Sequence, residues 1–228
     1  MGGLHGRLTG KDLEMNQNAP VQPLRLHRFA LSGHSHRAEL LLSLLSLPFQ
    51  TIDVDLAGGE QRSPRFLALN SMGQVPVLED GDVVVADSNA ILVYLASRYG
   101  GARFQLDSPV LEAEQQRWFS LAAGPLAAGP ASARIHHLFG RPLDIQAARR
   151  TAHTLFRVMD VRLATRDYLL GSRLSLADVS HYSYTAHAPE GGVLLDEYPA
   201  LRAWLARIEA LPGFVPMPAS PHPEVGRS

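Results

Sequence analysis

The most constraining feature of this chain is a pair of short apolar runs separated by a turn signal. The runs cover Val75–Leu78 and Val83–Ala86, and the dipeptide Asp80-Gly81 lies between them. An Asp-Gly pair between apolar runs is a strong signal for a two-residue turn that joins antiparallel strands. Pro76 stands at the start of the first run, where a proline cannot donate to a sheet ladder and often follows a cis peptide bond. The pattern therefore predicts a β-hairpin that begins at an unusual backbone site.

A strand–helix–strand unit is predicted upstream of this hairpin. Residues Leu24–Phe29 form a short apolar strand pattern, and Ser35–Ser46 carry leucines at helical spacing before Pro48 ends the run. Residues 51–56 alternate apolar and polar side chains, as a half-buried strand does. A helix that joins two strands of one sheet requires them to be parallel, whereas the later hairpin is antiparallel. Together with a short helix over Pro64–Leu69, this order predicts an α/β domain with a thioredoxin-like layout.

Beyond Asp107 the chain has no strand pattern, and its apolar spacing predicts an all-α second domain. Two Gly-Pro pairs, at residues 124–125 and 129–130, predict a break after the first helix of this domain. The predicted helices cover Leu111–Leu121, Leu143–Tyr168, Leu176–Ala186 and Pro199–Leu211. The predicted division of the chain is a flexible tail over 1–22, a thioredoxin-like domain over 23–103, a helical domain over 107–216 and a tail over 217–228.

Composition and charge exclude several classes of function. The formal net charge of the 228 residues is −1, so the chain has no electrostatic footprint for nucleic acid or an acidic membrane surface. No apolar run is long enough to span a bilayer, and the N-terminal stretch lacks the apolar core of a signal peptide. We therefore expect a cytoplasmic protein with no membrane and no nucleic-acid partner. Cysteine is absent, which excludes disulfides and reactions that use a protein thiolate.

Two serines lie where the first strand meets the first helix. Ser32 and Ser35 both stand near the helix N-terminus, where unpaired N–H groups carry a partial positive charge. A serine hydroxyl there can donate a hydrogen bond to the thiolate of a bound ligand. With the helix dipole, that bond is large enough to bring a thiol pKa of about 8.5 close to neutrality. Either serine could act in this way, and either could instead be a plain helix cap.

The dipeptide Asp87-Ser88 opens the helix that follows the hairpin and that ends before Gly100-Gly101. In the simplest interpretation the pair only caps this helix. It also suits an amino-acid head group, because the Ser88 hydroxyl and free N–H groups could bind a carboxylate while Asp87 binds an ammonium group. Val75 could offer its backbone N–H and C=O to an extended peptide. A small anionic peptide would use all of these groups.

Other polar and aromatic residues have structural interpretations. Ser175 and Asp178 fit the Ser-x-x-acid pattern of a capping box at a helix start. The histidine groups lack a further ligand at metal-binding spacing, so no metal is expected. These groups are His34 with His36, His136 with His137, and His181. Aromatic residues of the helical half could line a cleft between the domains, but core positions are favoured for Trp118, Phe119, Tyr182 and Tyr184.

The chain resembles the cytosolic glutathione transferases over about residues 24–215. The most specific stretch is GQVPVLEDGDVVVADSNAILVYLASRY, and LSLADVSHYSY resembles the capping-box motif of a buried helix in the family's second domain. The run SGHSHRAELLLSLLSLPF is similar to the serine-type classes, nearest to zeta, phi and theta. GFVPMPA is similar to the C-terminal ends of a bacterial subgroup. The resemblance implies a thioredoxin-like domain followed by an all-α domain, in a homodimer.

The resemblance also implies roles for individual residues. Ser32 falls on the activating serine of serine-type members, which makes it the candidate catalytic residue. Val75 falls before the cis proline, Pro76, and would bind the cysteinyl part of glutathione through its backbone. The glutathione-binding residues implied are Gln61, Val75, Asp87 and Ser88. The implied function is detoxification, in which glutathione as co-substrate is conjugated to a small hydrophobic electrophile held by the helical domain.

Two alternatives remain open beside conjugation. One is glutathione-dependent reduction of a peroxide or a mixed disulfide. The other is a non-catalytic interaction module, because the same fold serves that role in some proteins and a fold does not determine function. The presence of Ser32, Ser35 and the Pro76 loop favours the enzyme, since a module has no need of them.

Overall fold

The structure is a computed structural model that describes residues 20–220. Its N-terminal half contains four strands and three α-helices. The strands are β1 (Leu24–Arg28), β2 (Phe49–Asp53), β3 (Val77–Asp80) and β4 (Val83–Ala86). The helices are α1 (Gly33–Leu44), α2 (Pro64–Leu69) and α3 (Ser88–Tyr99), with short 3₁₀ turns at Glu60–Arg62 and Gly101–Arg103.

The four strands form one mixed sheet in the order β2-β1-β3-β4. Strand β1 is parallel to β2 and antiparallel to β3, so that Leu26 faces Thr51 on one side and Leu78 on the other. Strands β3 and β4 form the antiparallel hairpin. The thioredoxin-like layout is therefore confirmed. Strand β3 begins at Val77, two residues later than predicted, and Pro76, which has no N–H for the ladder, stays outside it.

Two apolar layers hold this sheet between helices. Helices α1 and α3 pack against each other and bury Leu26, Leu41, Leu78 and Ile91 completely. A smaller cluster of Val54, Phe66 and Val77 packs α2, which contains Phe66, against the sheet. Burying side chains of this size contributes about 1.5–3 kcal/mol each. The sheet is thus a rigid base for the loops at its edge, which include the residues that the sequence singles out.

The second half of the described chain is helical. It contains α4 (Pro109–Leu121), a π-helical segment (Ala122–Ala131), α5 (Ser132–Phe139), α6 (Ile145–Leu163), α7 (Leu176–Ala186), a 3₁₀ turn (Ala188–Gly191) and α8 (Pro199–Glu209). Within residues 20–220 no helix is both long enough and apolar enough to cross a membrane.

The predicted break at the two Gly-Pro pairs is wrong, and helix α5 was not predicted. The chain stays helical from Pro109 to Phe139, because it widens into a π-helical segment that contains both Pro125 and Pro130. A π-helical turn relaxes the usual bonding pattern and so accommodates residues that lack an N–H donor. A Cβ at Gly129 would lie 2.8 Å from the backbone nitrogen of Ala152, so glycine permits close contact with α6. The continuous helix carries α5 to the edge of the sheet domain.

Helix α7 is the buried centre of the helical domain and its link to the first domain. Ser175 and Asp178 form the capping box that the sequence predicts, and the Asp178 carboxylate also accepts a hydrogen bond from Trp204 Nε1 at 2.8 Å. On the other side, the ring of His36 in α1 lies 2.9 Å from Ser183 Oγ and 2.9 Å from the carbonyl oxygen of Val215. These bonds join α1, α7 and the segment that follows α8. Residues 221–228 of the predicted tail lie outside the described residues.

Candidate active site

A cleft of about 880 Å³ lies where the edge of the sheet meets helices α5 and α7. It brings together residues that are widely separated in the sequence. Its lining includes Ser32, Gln61, Val75, Pro76, Asp87 and Ser88. Ser35 is not part of this lining. The Val75–Pro76 peptide bond is cis, as the position of Pro76 predicts.

Ser32 is the N-cap of α1 and faces the cleft. Its backbone is extended, and its Oγ accepts a hydrogen bond from the backbone N–H of Ser35 at 3.2 Å. A hydroxyl that accepts in this way keeps its own proton for another partner. Ser35 differs in placement, because its side chain is buried and its Oγ accepts from the backbone N–H of Phe29 at 3.2 Å. The two serines therefore have different access to a ligand.

Asp87 caps α3 with a strained backbone. Its φ is +75°, a value that side chains other than glycine rarely adopt. One carboxylate oxygen, Oδ1, accepts from the backbone N–H groups of Asn89 at 2.8 Å and Ala90 at 3.0 Å. The other, Oδ2, has no hydrogen-bond partner within residues 20–220. Strain at a helix cap that also lines a cleft is typical of a ligand site, and Oδ2 is free to bind a cation.

Ser88 is linked to a buried arginine that the sequence analysis missed. Nη1 of Arg37 donates to Ser88 Oγ at 3.1 Å and to His34 Nδ1 at 3.0 Å, while its Nε and Nη2 have no partner. The Arg37 side chain is 1% exposed, and burial lowers its pKa to about 10. The guanidinium therefore stays charged at neutral pH. No carboxylate pairs with it in the described chain, and it places a positive potential directly behind Ser88.

His34 and Tyr184 complete the floor of the cleft. Their rings meet edge to face with centroids 5.0 Å apart. Burial, with a smaller contribution from the charge of Arg37, lowers the pKa of His34 to about 3, so its ring is neutral. Burial raises the pKa of Tyr184, although the charge of Arg37 and hydrogen bonds from the His34 backbone and the Ser32 hydroxyl act in the opposite direction. Tyr184 thus belongs to the core, as predicted, and to the cleft lining as well.

Gln61 and Val75 also line the cleft. The amide oxygen Oε1 of Gln61 is buried without a partner, and Nε2 lies 3.4 Å from the carbonyl oxygen of Leu56. Asn70 Nδ2 donates to the carbonyl oxygen of Gln74 at 2.7 Å and so fixes the loop that leads to Val75. An unpartnered amide oxygen and a backbone segment outside the sheet ladder are both suited to an extended peptide.

Arg134 of α5 forms the wall beside Ser32 and was also missed by the sequence analysis. Its Nη1 donates to the carbonyl oxygen of Leu31 at 2.6 Å, and its Nε donates to Glu190 Oε2 at 2.5 Å. No sequence signal pointed to it, because α5 itself was not predicted. For Arg37 a signal existed. It stands four residues before Leu41 and so lies on the buried face of α1, where a charged side chain requires a reason.

Two of the histidines, His36 and His181, are buried in the packing, whereas His137 is exposed. No group of three His, Asp or Glu side chains within residues 20–220 could hold a metal ion. Burial lowers the pKa of His36 to about 4 and that of His181 to about 3. Trp118 packs edge to face against His181, which places both residues in the core.

Comparison with known proteins identifies the family. Residues 31–98 match the model of the glutathione S-transferase N-terminal domain, and residues 133–212 match that of the C-terminal domain. Glutathione S-transferase 3 of Zea mays is 32% identical over 88% of this chain and 98% of its own length. The chain belongs to the glutathione S-transferase family. It is a transferase with glutathione as its co-substrate, as the resemblance implied.

Solved structures of glutathione S-transferases have the same fold. A glutathione S-transferase from Pseudomonas fluorescens superposes with a TM-score of 0.81 at 33% identity, over 86% of this chain and 99% of that one. A glutathione transferase homologue from Drosophila mojavensis, crystallised with bound glutathione, has a TM-score of 0.76 at 28% identity and covers 83% and 89% of the two chains. The assignment to a serine-type, bacterial-like subgroup stays a prediction.

Proposed function

We propose that this glutathione S-transferase conjugates glutathione to a small electrophile and that the Ser32 hydroxyl stabilises the reacting thiolate. The observation that carries the proposal is the placement of Ser32. Its Oγ lines the cleft at the N-terminus of α1 and accepts from the Ser35 N–H, and its O–H, which lies within hydrogen-bond reach of the Tyr184 hydroxyl, would turn to a bound sulfur atom. Ser35 lacks this access, since its hydroxyl is buried against the backbone of Phe29.

The groups around the cleft favour one orientation of glutathione. The free Oδ2 of Asp87 would bind the γ-glutamyl ammonium group, and Ser88 would donate to the carboxylate while it accepts from Arg37. The positive end of α3 and the charge of Arg37 both favour that carboxylate. Backbone groups of Val75 would hold the cysteinyl residue, and Gln61 would contact the rest of the peptide. This orientation directs the sulfur toward Ser32.

For the conjugation reaction, the protein then needs to do little more than stabilise the thiolate of glutathione. The thiol proton passes to solvent, the sulfur bonds to the electrophilic carbon, and a leaving group departs or the adduct takes up a proton. A hydrogen bond to a charged group contributes about 1.5–3 kcal/mol, which corresponds to one or two units of thiol pKa. The partial positive charge at the N-terminus of α1 acts in the same direction. The electrophile would lie on the side of the cleft formed by α5.

The proposal is tested with Ser32→Ala and Ser35→Ala, assayed over pH with one electrophile. We expect Ser32→Ala to lower turnover and to move the pH–rate profile to higher pH, while calorimetry shows nearly unchanged glutathione affinity. Ser35→Ala should leave the profile in place. The reverse assignment of the two effects would transfer the role to Ser35. An unchanged rate in both variants would leave the backbone N–H groups of α1 as the activating groups.

A further inference from the structure

The cleft has an apolar, aromatic end on the side of the helical domain. Ile135 and Phe139 of α5 belong to the lining together with Phe29 and Leu31, which precede Ser32 in the chain. The rings of Phe29 and Phe139 are 6.1 Å apart at 51°, and the Phe139 side chain remains 55% exposed. Two tilted rings, one of them largely open, present a surface on which a planar aromatic group can stack.

Arg141 is held beside this aromatic surface by the turn that ends α5. Gly140 adopts φ +62°, a left-handed conformation that stops the helix and reverses the chain direction. The ring nitrogen Nδ1 of His136 lies 2.8 Å from the carbonyl oxygen of Arg141 and, facing a carbonyl, donates to it. The cap and this hydrogen bond fix the backbone of Arg141 close to Phe139, and both residues belong to the cleft lining.

The charges around the cleft are unbalanced at this end. Among the described residues that line the cleft, Asp87, the neighbour of Ser88, is the only carboxylate. The charge of Arg134 is compensated by Glu190, with which it forms a buried ion pair. Arg141 forms no ion pair and no side-chain hydrogen bond within residues 20–220. The apolar end of the cleft therefore carries one positive charge that the described protein does not neutralise.

We propose that the preferred electrophile is an aromatic molecule that carries a carboxylate, with its ring on Phe139 and its carboxylate on the guanidinium of Arg141. Guanidinium groups bind carboxylates through two parallel hydrogen bonds, which suits an anion at a fixed distance from a ring. The proposal rests on the proposed conjugation reaction and names its substrate class. Arg141 is then a specificity-determining residue that contacts the electrophile but does not contact the sulfur atom of glutathione.

A matched pair of electrophiles tests this preference. The probes are 4-chloro-3,5-dinitrobenzoate and its methyl ester, which differ in charge but share the reacting carbon. In both, the sulfur bonds to the carbon that carries chlorine, and chloride leaves with the electron pair of the broken bond. The variants are Arg141→Gln and Arg141→Lys. Arg157→Gln, an exposed arginine of α6 outside the cleft lining, is the matched control.

We expect Arg141→Gln to lower kcat/KM for the benzoate about fivefold, which is the size of one partly exposed ion pair. For the ester, kcat/KM should fall less than twofold. Arg141→Lys should retain most of the preference, and Arg157→Gln all of it. At saturating glutathione, added salt should weaken the reaction of the parent with the benzoate more than its reaction with the ester. Equal losses with both electrophiles would overturn the proposal. So would an increase of the glutathione KM in Arg141→Gln with both electrophiles, which would assign Arg141 to the peptide.

A binding measurement separates this proposal from the catalytic one. If the parent conjugates neither probe, the proposed reaction fails for this substrate class. Calorimetry with the product S-(4-carboxy-2,6-dinitrophenyl)glutathione and its methyl ester then decides the role of Arg141. Tighter binding of the acid by the parent, lost in Arg141→Gln, supports the site. Equal binding of acid and ester by the parent contradicts it.

Discussion

The guanidinium of Arg134 donates a 2.6 Å hydrogen bond to the carbonyl oxygen of Leu31, the residue before Ser32. Through this bond the helical domain holds the loop that presents Ser32 to the cleft. The same side chain pairs with Glu190, and Glu190 in turn accepts from the backbone N–H of Ser220 at 3.2 Å. The chain near residue 220 is thus connected to the Ser32 loop through two buried side chains.

The hydrogen bonds of Arg134 predict that one substitution lowers stability and another lowers activity without loss of stability. Arg134→Met breaks a buried ion pair and leaves Glu190 with only its His187 and Ser220 contacts, so it should destabilise the protein by about 3–5 kcal/mol in urea unfolding. Arg134→Lys keeps the charge but lacks the planar fork that reaches both partners at once. We expect it to fold normally and to lower kcat, with a pH–rate profile at higher pH, because the Ser32 loop is less firmly held.

The control for Arg134→Lys is Arg157→Lys, an exposed position on α6. Parental kcat and pH profile in Arg134→Lys would show that the hydrogen bond to Leu31 does not position Ser32.

Ser88→Ala should weaken glutathione binding about tenfold or more, because a hydrogen bond to a charged carboxylate contributes about 1.5–3 kcal/mol. The loss also leaves Nη1 of Arg37 without its serine partner. Isothermal calorimetry measures the change directly. Ser97→Ala, at an exposed position on the same helix, is the control. Identical affinities in parent and Ser88→Ala would remove Ser88 from the binding site.

Asp87→Asn separates charge from capping. Asparagine is a good helix cap and tolerates positive φ, so the melting temperature should stay close to that of the parent. Glutathione affinity should fall severalfold, because the ammonium group loses its counter-charge. Asp87→Ala should lower affinity and also cost about 1 kcal/mol of stability through the lost cap. Asp87 does not bind the ammonium group through its charge if Asp87→Asn binds glutathione as tightly as the parent does.

Stability should decrease as the pH falls below neutrality. The pKa values of His34, His36 and His181 are lowered from 6.5 to about 3, 4 and 3 by burial. Each ring is therefore neutral in the folded state and takes up a proton on unfolding below pH 6.5. Above pH 6.5 the lowered pKa of a ring does not affect the free energy of unfolding. Between pH 6.5 and the folded pKa, each ring lowers the free energy of unfolding by up to about 1.4 kcal/mol for each unit by which the pH falls.

Melting curves between pH 8 and pH 4.5 check this dependence. His181→Gln removes one of the three titrating groups. The part of the slope of melting temperature against pH that comes from the histidines should therefore decrease by about a third. A midpoint that stays constant from pH 7 to pH 5 in the parent would show that these rings are protonated in the folded protein.

Local signals predicted much of the fold. Strand β4, α2 and α7 have the bounds expected from turn residues, a helix-initiating proline and a capping box. Helix α5 was missed because two Gly-Pro pairs ordinarily end a helix, and only packing against α6 explains why the chain continues as a π-helical segment. Ser32 and Ser88 could be selected because helix N-termini are visible in sequence. Arg37 and Arg134 act through partners 51 and 103 residues away, which no local pattern reveals.

The most direct measurement is the thiol pKa of glutathione bound to the protein, followed by the ultraviolet absorbance of the thiolate during a pH titration. In the parent we expect a pKa at least one unit below the value of about 8.5 for a free thiol. In Ser32→Ala it should rise by about one unit or more, the size of one hydrogen bond to an anion, whereas Ser35→Ala should match the parent. A bound thiol that titrates at the same pH in the parent and in Ser32→Ala would contradict the role of Ser32.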